Sequence, residues 1–94
     1  MDTTTNKFHV YNCALNRYGI NNQQWMLVEE IGELLNAFAK LKRDRSTKAD
    51  IITELADVHI MVEQMAFYFG WEDFEKEKEF KLKRLENRLR KAVQ

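Results

Sequence analysis

The chain has 94 residues, enough for one domain but few enough that folding buries only about 60–65% of the surface its unfolded form exposes. Its 15 basic and 15 acidic residues cancel, which argues against a general nucleic-acid binder. A hydrophobic content of 45% with three glycines and no proline excludes a disordered chain and favours an ordered, helix-rich domain spanning residues 1–94.

Met1 to Asn6 is polar and lacks the apolar core of an export signal, so none is expected there. From about Thr4 to Tyr18, Phe8, Tyr11, Leu15 and Tyr18 recur at spacings of three and four, which predicts an amphipathic helix stopped by Gly19. Cys13, within it, is the sole cysteine, leaving no disulfide framework or cysteine-based zinc site, as expected of a reducing, cytoplasmic setting. Asn21 and Asn22 are candidate caps for a second helix to about Lys42, with the apolar stripe Leu27, Ile31, Leu34, Leu35, Phe38 and Leu41. Arg43 to Thr47 reads as a short connection, with Ser46 or Thr47 capping a third helix through Ile51, Leu55, Val58, Val62 and Met65 to about Phe69. Gly70 closes that helix, and a fourth, from about Glu72 to Ala92, carries Phe74, Leu82, Leu85 and Leu89 among many charges. Apolar runs such as Met65 to Phe69 are too short to span a bilayer. With no competing strand pattern, the expected fold is all-α and four-helix bundle-like, its second and third helices forming an antiparallel hairpin.

The chemistry-bearing residues fall on that hairpin. Residues three or four apart share a helix face, so Glu29, Glu30 and Glu33 gather on the second helix, and Glu54 and Asp57 on the third. Both groups adjoin apolar stripes, so some of these acids should point between the helices. There, uncompensated carboxylates repel one another and hold their protons more tightly. A hard, oxygen-seeking cation, Mg²⁺ or Mn²⁺, would relieve the repulsion. The plainer alternative is a solvated acidic face. A di-iron carboxylate site is excluded because neither His9 nor His59 stands three residues after a glutamate, and Gly19, Gly32 and Gly70 are too dispersed for a phosphate loop.

The run Glu29-Glu30-Ile31-Gly32-Glu33-Leu34, followed by Glu54-Leu55-Ala56-Asp57-Val58 and Ile60-Met61, resembles the MazG-like all-α nucleoside triphosphate pyrophosphohydrolases, whose signature is Glu-x-x-Glu followed by Glu-x-x-Asp. The spacing from Asn36 to Thr53, Gln24 ahead of the first pair, and Lys81-Leu82-Lys83-Arg84-Leu85 with Arg88-Leu89 are similar to that family too, so the resemblance covers roughly residues 8 to 90. The compact form most resembles the short versions of phages and bacteria, which implies a cytoplasmic location, the host's if the chain is phage-encoded.

The resemblance implies that Glu30, Glu33, Glu54 and Asp57 hold Mg²⁺ and that water attacks the α-phosphorus of a (d)NTP, giving (d)NMP and pyrophosphate. Glu33, then Glu29, is the candidate general base; for Glu29 a plain surface ion pair is the alternative. Lys81, Arg84 and Arg88 share one face of the last helix and could hold the β- and γ-phosphates, as could Lys40, although interspersed glutamates also fit a salt-bridged surface. Trp25 could stack on a base, or simply pack. The aromatic group Phe67, Tyr68, Phe69 and Trp71 suits packing or oligomerisation, and His59 faces a neighbouring helix or solvent. Size and resemblance both imply a homodimer or homotetramer. Two rival readings remain: a non-catalytic helical adaptor docking through Leu82, Leu85 and Leu89, and a dUTP-specific diphosphatase with the same kind of site.

Overall fold

The computed structural model describes residues 5–93, the side chain of Val93 excepted. Four helices follow in order: α1 (Lys7–Tyr18), α2 (Ile20–Lys42), α3 (Lys48–Phe69) and α4 (Trp71–Val93). Among the described residues there is no strand, in agreement with the all-α expectation, and no helix is long and apolar enough to cross a membrane. Thr4, where the periodicity began, lies outside the described residues; α1 starts at Lys7, capped by Asn6, whose Oδ1 accepts a hydrogen bond from the His9 backbone at 3.3 Å.

The α1–α2 corner departs from expectation. Neither Asn21 nor Asn22 caps α2. Gly19 ends α1 and begins α2, donating its N–H to Leu15 O at 2.9 Å and accepting from Gln23 N at 3.1 Å. Its φ of 85° and ψ of 152° lie in a region open essentially to glycine, and an asparagine two or three residues later could cap only if the corner were rebuilt. Asn22 instead donates its side-chain amide back to Tyr18 O at 2.7 Å. Thr47 does cap α3, in a reciprocal box: its Oγ1 accepts from Asp50 N at 3.2 Å while the Asp50 carboxylate accepts from Thr47 N at 3.0 Å.

The body of the protein is the α2–α3 hairpin. α1 lies across one end against both helices, and α4 packs on α3. Burial is thin. Tyr11, Ala37, Met61, Met65 and Ala66 form the apolar core, and no large side chain among the described residues is fully enclosed. Much of the apolar stripe of α2 is open: Leu35 is 64% and Phe38 44% exposed. From Lys76 to Ala92 every α4 residue is exposed, so the helix leaves the body as an arm after Glu75. The radius of gyration of 16.7 Å matches that openness, since a compact chain of this length has about 12–13 Å.

One polar lock pins α1 to α3. The Tyr11 hydroxyl, on a side chain buried between the helices, donates to Glu63 Oε1 at 2.7 Å, and Lys7 and His59 pair with the same carboxylate, each at 3.3 Å. His59 is therefore a surface partner of Glu63. Phe8 joins the lock to the α4 junction, its ring 5.8 Å from Phe67 and 5.0 Å from Trp71, with Lys7 above the Trp71 face. The expected aromatic group is split accordingly: Phe67 and Trp71 pack against Phe8, whereas Tyr68 and Phe69 meet edge to face at the surface.

The lock should leave a mark on the pH profile of stability. Burial, reinforced by the hydrogen bond to Glu63 and its charge, pushes the Tyr11 hydroxyl up to about 12. Burial also pushes Glu63 up, but the hydrogen bonds from Tyr11 and Lys7 and the nearby positive charge outweigh it and hold the carboxyl below its ordinary value. The Glu63 contribution is present above the unfolded carboxyl value of about 4.3 and is lost as pH falls through the lowered folded value. The Tyr11 contribution is present below about 10 and is lost as pH rises through about 12. Tyr11→Phe is expected to cost about 1.5–3 kcal/mol at pH 7 and to flatten the alkaline limb of a plot of Tm against pH. An alkaline limb unchanged in the variant would remove Tyr11 as its cause.

Candidate metal centre

Helix periodicity carries Glu30, Glu33, Ala37 and Lys40 along one stripe of α2, at successive steps of three, four and three. On α3 the steps from Asp50 to Glu54 to Asp57 are four and three, which builds a matching stripe. The antiparallel hairpin lays one against the other. Glu30, Glu33 and Glu54 then each offer one carboxylate oxygen, all three within 4.8 Å of one another. That spread suits one divalent cation with oxygen ligands at about 2.0–2.6 Å.

The electrostatics of the three are unfavourable without a counter-charge. Burial first, then the charges of Glu33, Asp57 and Glu54, raise the pKa of Glu30. Burial first, then Glu33, Asp57 and Asp50, raise that of Glu54. Both residues are only half-buried, yet Oε2 of each is shielded from solvent and has no hydrogen-bond partner. The ion pairs among the described residues are Lys7–Glu63, His59–Glu63, Lys78–Glu75 and Arg90–Glu86, so no cation among the described residues is paired with the cluster. Shielded oxygens without donors are costly, and a cation bound among them would offset that cost. An all-carboxylate donor set suits a hard ion of the Mg²⁺ or Mn²⁺ kind.

The remaining sequence candidates are distributed unequally. Asp57 is half-buried and close enough for its charge to act on Glu30 and Glu54, but it stands outside the tightest trio. Glu29 is exposed and lines a different groove, of about 520 Å³, together with Trp25, Tyr18, Asn22, Gln23 and Met26. The two candidate bases are thus separated, Glu33 in the cluster and Glu29 beside Trp25. Lys40 lines a smaller groove of about 250 Å³ that reaches Glu54. Lys81, Arg84 and Arg88 lie on the free part of α4, where Lys81 borders the apolar strip of Phe74, Leu82 and Leu85 on its own helix. Within one chain they do not line the groove at the acids.

Asn36 and Arg45 also line the Lys40 groove, and sequence reading missed them. Arg45 falls in what periodicity marks only as a connection. The available signal was a basic residue just beyond a helix end whose last turn already carries Lys40.

Comparison with known proteins identifies no relative: no protein family, curated protein or solved structure matches this chain. The functional reading therefore rests on the site itself.

Proposed function

We propose that this chain is a Mg²⁺-dependent nucleoside triphosphate pyrophosphohydrolase of the MazG-like kind, with Mn²⁺ able to replace Mg²⁺, cleaving (d)NTP to (d)NMP and pyrophosphate. The observation that carries the reading is that Glu30 and Glu54, which with Glu33 bring a carboxylate oxygen each to within 4.8 Å across the hairpin, both have a shielded oxygen without a hydrogen-bond partner. A divalent cation bound there supplies neutralisation of phosphate charge and makes a neighbouring water more acidic.

Exposure divides the labour among the acids. Glu30 and Glu54 have an oxygen turned away from solvent and are the holding ligands, and the nearby charge of Asp57, which repels theirs, adds to the negative potential that draws a cation. Glu33 is exposed, so its carboxylate can contact solvent and take the proton of the attacking water. The new bond joins the water oxygen to the α-phosphorus, and the bond to the bridging oxygen of the β-phosphate breaks, releasing pyrophosphate. Trp25 and Glu29, in the neighbouring groove, are available to a base.

Self-association into a homodimer or homotetramer, in a cytoplasmic setting, belongs to the same reading. Its support is the exposed apolar surface of α2, α3 and α4 and the open shape of the chain. Sedimentation at micromolar concentration is expected to show a dimer or larger species, and a lone 11.3 kDa particle would contradict this.

One observation favours a second reading. Leu82, Leu85 and Leu89 are each more than half exposed on the α4 arm, as a non-catalytic adaptor would present them to a partner helix. Pyrophosphate release from a panel of ordinary and modified nucleoside triphosphates, with Mg²⁺ and with chelator, separates the two. Metal-dependent release supports the enzyme, turnover of dUTP alone narrows it to a dUTP diphosphatase, and silence from a folded protein favours the adaptor.

A further inference from the structure

The groove between the acid cluster and the hairpin turn has a chemical polarity that the reaction as described does not use. Its walls are Asn36 and Lys40 on α2, Arg45 and Ser46 in the turn, and Asp50 and Glu54 on α3. One end is thus a carboxylate of the metal cluster and the other is a pair of cations.

The turn brings the backbones that carry those cations together. α2 ends in a Schellman closure: Arg45 N donates to Lys40 O at 2.8 Å and Asp44 N to Leu41 O at 3.0 Å, with Asp44 in the left-handed region at φ 57°. The closure reverses the chain sharply and returns Arg45 beside the turn of α2 that carries Lys40. Lys40 itself stands seven residues beyond Glu33 on the same stripe, about 10 Å along the helix axis, a gap that its long side chain and that of Arg45 can shorten. Neither Lys40 nor Arg45 forms an ion pair among the described residues. Asp50 shares the groove and feels the charge of Lys40, but the two form no ion pair and Asp50 Oδ2 is engaged locally, accepting from Thr47 N at 3.0 Å and Ser46 Oγ at 3.3 Å. A polyphosphate is the ligand class that needs an acid-held cation at one point and fixed positive charge a few ångströms further on.

Resting on the reading of the acid cluster as a nucleotide phosphate site, the geometry points to Lys40 and Arg45 as the residues that hold the distal phosphates of the substrate. The polyphosphate chain then runs from Glu33 and Glu54 toward the hairpin turn, and the basic residues of the α4 arm are not its anchor. Arg45 supplies the planar fork that can grip two oxygens of a terminal phosphate, and Lys40 a mobile point charge.

The test is calorimetric binding of inorganic triphosphate in the presence of Mg²⁺ to the native chain, to Arg45→Ala, Lys40→Ala and the double variant, and to a triple variant with Lys81, Arg84 and Arg88 changed to Ala. The thermal shift produced by Mg²⁺ alone is measured on each. Lys40 and Arg45 are exposed, so these variants are expected to fold, which circular dichroism checks. Each single change is expected to weaken triphosphate at least about tenfold and the double change further, with the Mg²⁺ shift intact, Arg45→Lys partly restored and the α4 triple variant unchanged. Native-like triphosphate affinity in the double variant, or a loss confined to the α4 triple variant, overturns this placement while leaving the pyrophosphohydrolase reading standing. A native chain that binds neither Mg²⁺ nor triphosphate overturns both.

Discussion

Glu33→Gln is expected to lower the rate of pyrophosphate release by about 10²–10⁴-fold, with the protein still folded. The amide keeps the size of the side chain and one oxygen, but it cannot accept the proton of the attacking water. It also removes one of the three negative charges that converge within 4.8 Å, and the protein should tolerate that easily because the charge is a source of repulsion. A folded, inactive variant therefore separates chemistry from structure. Glu29→Gln is the natural comparison, since Glu29 lines the Trp25 groove away from the trio. A loss as large in Glu29→Gln as in Glu33→Gln would move the base to the neighbouring groove, and full activity in Glu33→Gln would sink its assignment.

The second large effect concerns stability without any substrate. Glu30 and Glu54 have raised pKa values in the folded chain, so the folded form holds their protons more tightly than the unfolded form does. By linkage, their favourable contribution is complete below the unfolded value of about 4.3 and is lost as pH rises through the folded values. In chelator, then, the cluster works against the fold at neutral pH. A divalent cation should reverse this, because it binds the deprotonated, folded arrangement and has little affinity for the unfolded chain. At one hundred times its Kd such a ligand adds about 2.7 kcal/mol. In a domain of this length that corresponds to roughly 10–20 °C in Tm. The gain is expected to shrink as pH is lowered toward 4, where protons compete for the same oxygens. Glu30→Gln should raise Tm in chelator, by removing a repelled charge, and abolish the Mg²⁺ gain. Differential scanning calorimetry across pH with Mg²⁺ and with chelator decides the matter, and a Tm indifferent to Mg²⁺ throughout would leave the cluster as a solvated acidic face.

Much of this arrangement was legible in the order of residues, and the limits have specific causes. Four helices could be read from period alone, because Phe8, Tyr11 and Leu15, or Leu27, Ile31 and Leu34, repeat as helical faces must whatever surrounds them. A cap at Ser46 or Thr47 was readable because both stand just ahead of the apolar period, and the box that Thr47 closes with Asp50 within one turn decides between them. Gly19 was readable as a stop but not as the cap of the next helix, since that depends on a backbone angle that the asparagines following it do not signal. The acidic stripes also followed from period. Their meeting did not: that Glu30 and Glu54 each hide one unpartnered oxygen depends on the depth at which α2 and α3 pack, and that Glu29 turns into a different groove depends on where α1 crosses.

The basic residues show the same division most sharply. On paper, Lys81, Arg84 and Arg88 form a face as good as any phosphate site, because a helix wheel records angle and not destination. Only the tertiary structure puts α4 outside the body after Glu75, and only the closure of α2 returns Arg45 to Lys40 at the edge of the acid cluster. The sequence by itself determined the helices, the cap of α3 to within Ser46 or Thr47, and which acids share a stripe, because those features depend on neighbours within about one turn. Which stripes face each other, which oxygens lose water and which cations reach them were decided by packing between segments distant in the chain, where depth and crossing are set by many weak contacts at once and no local pattern encodes them.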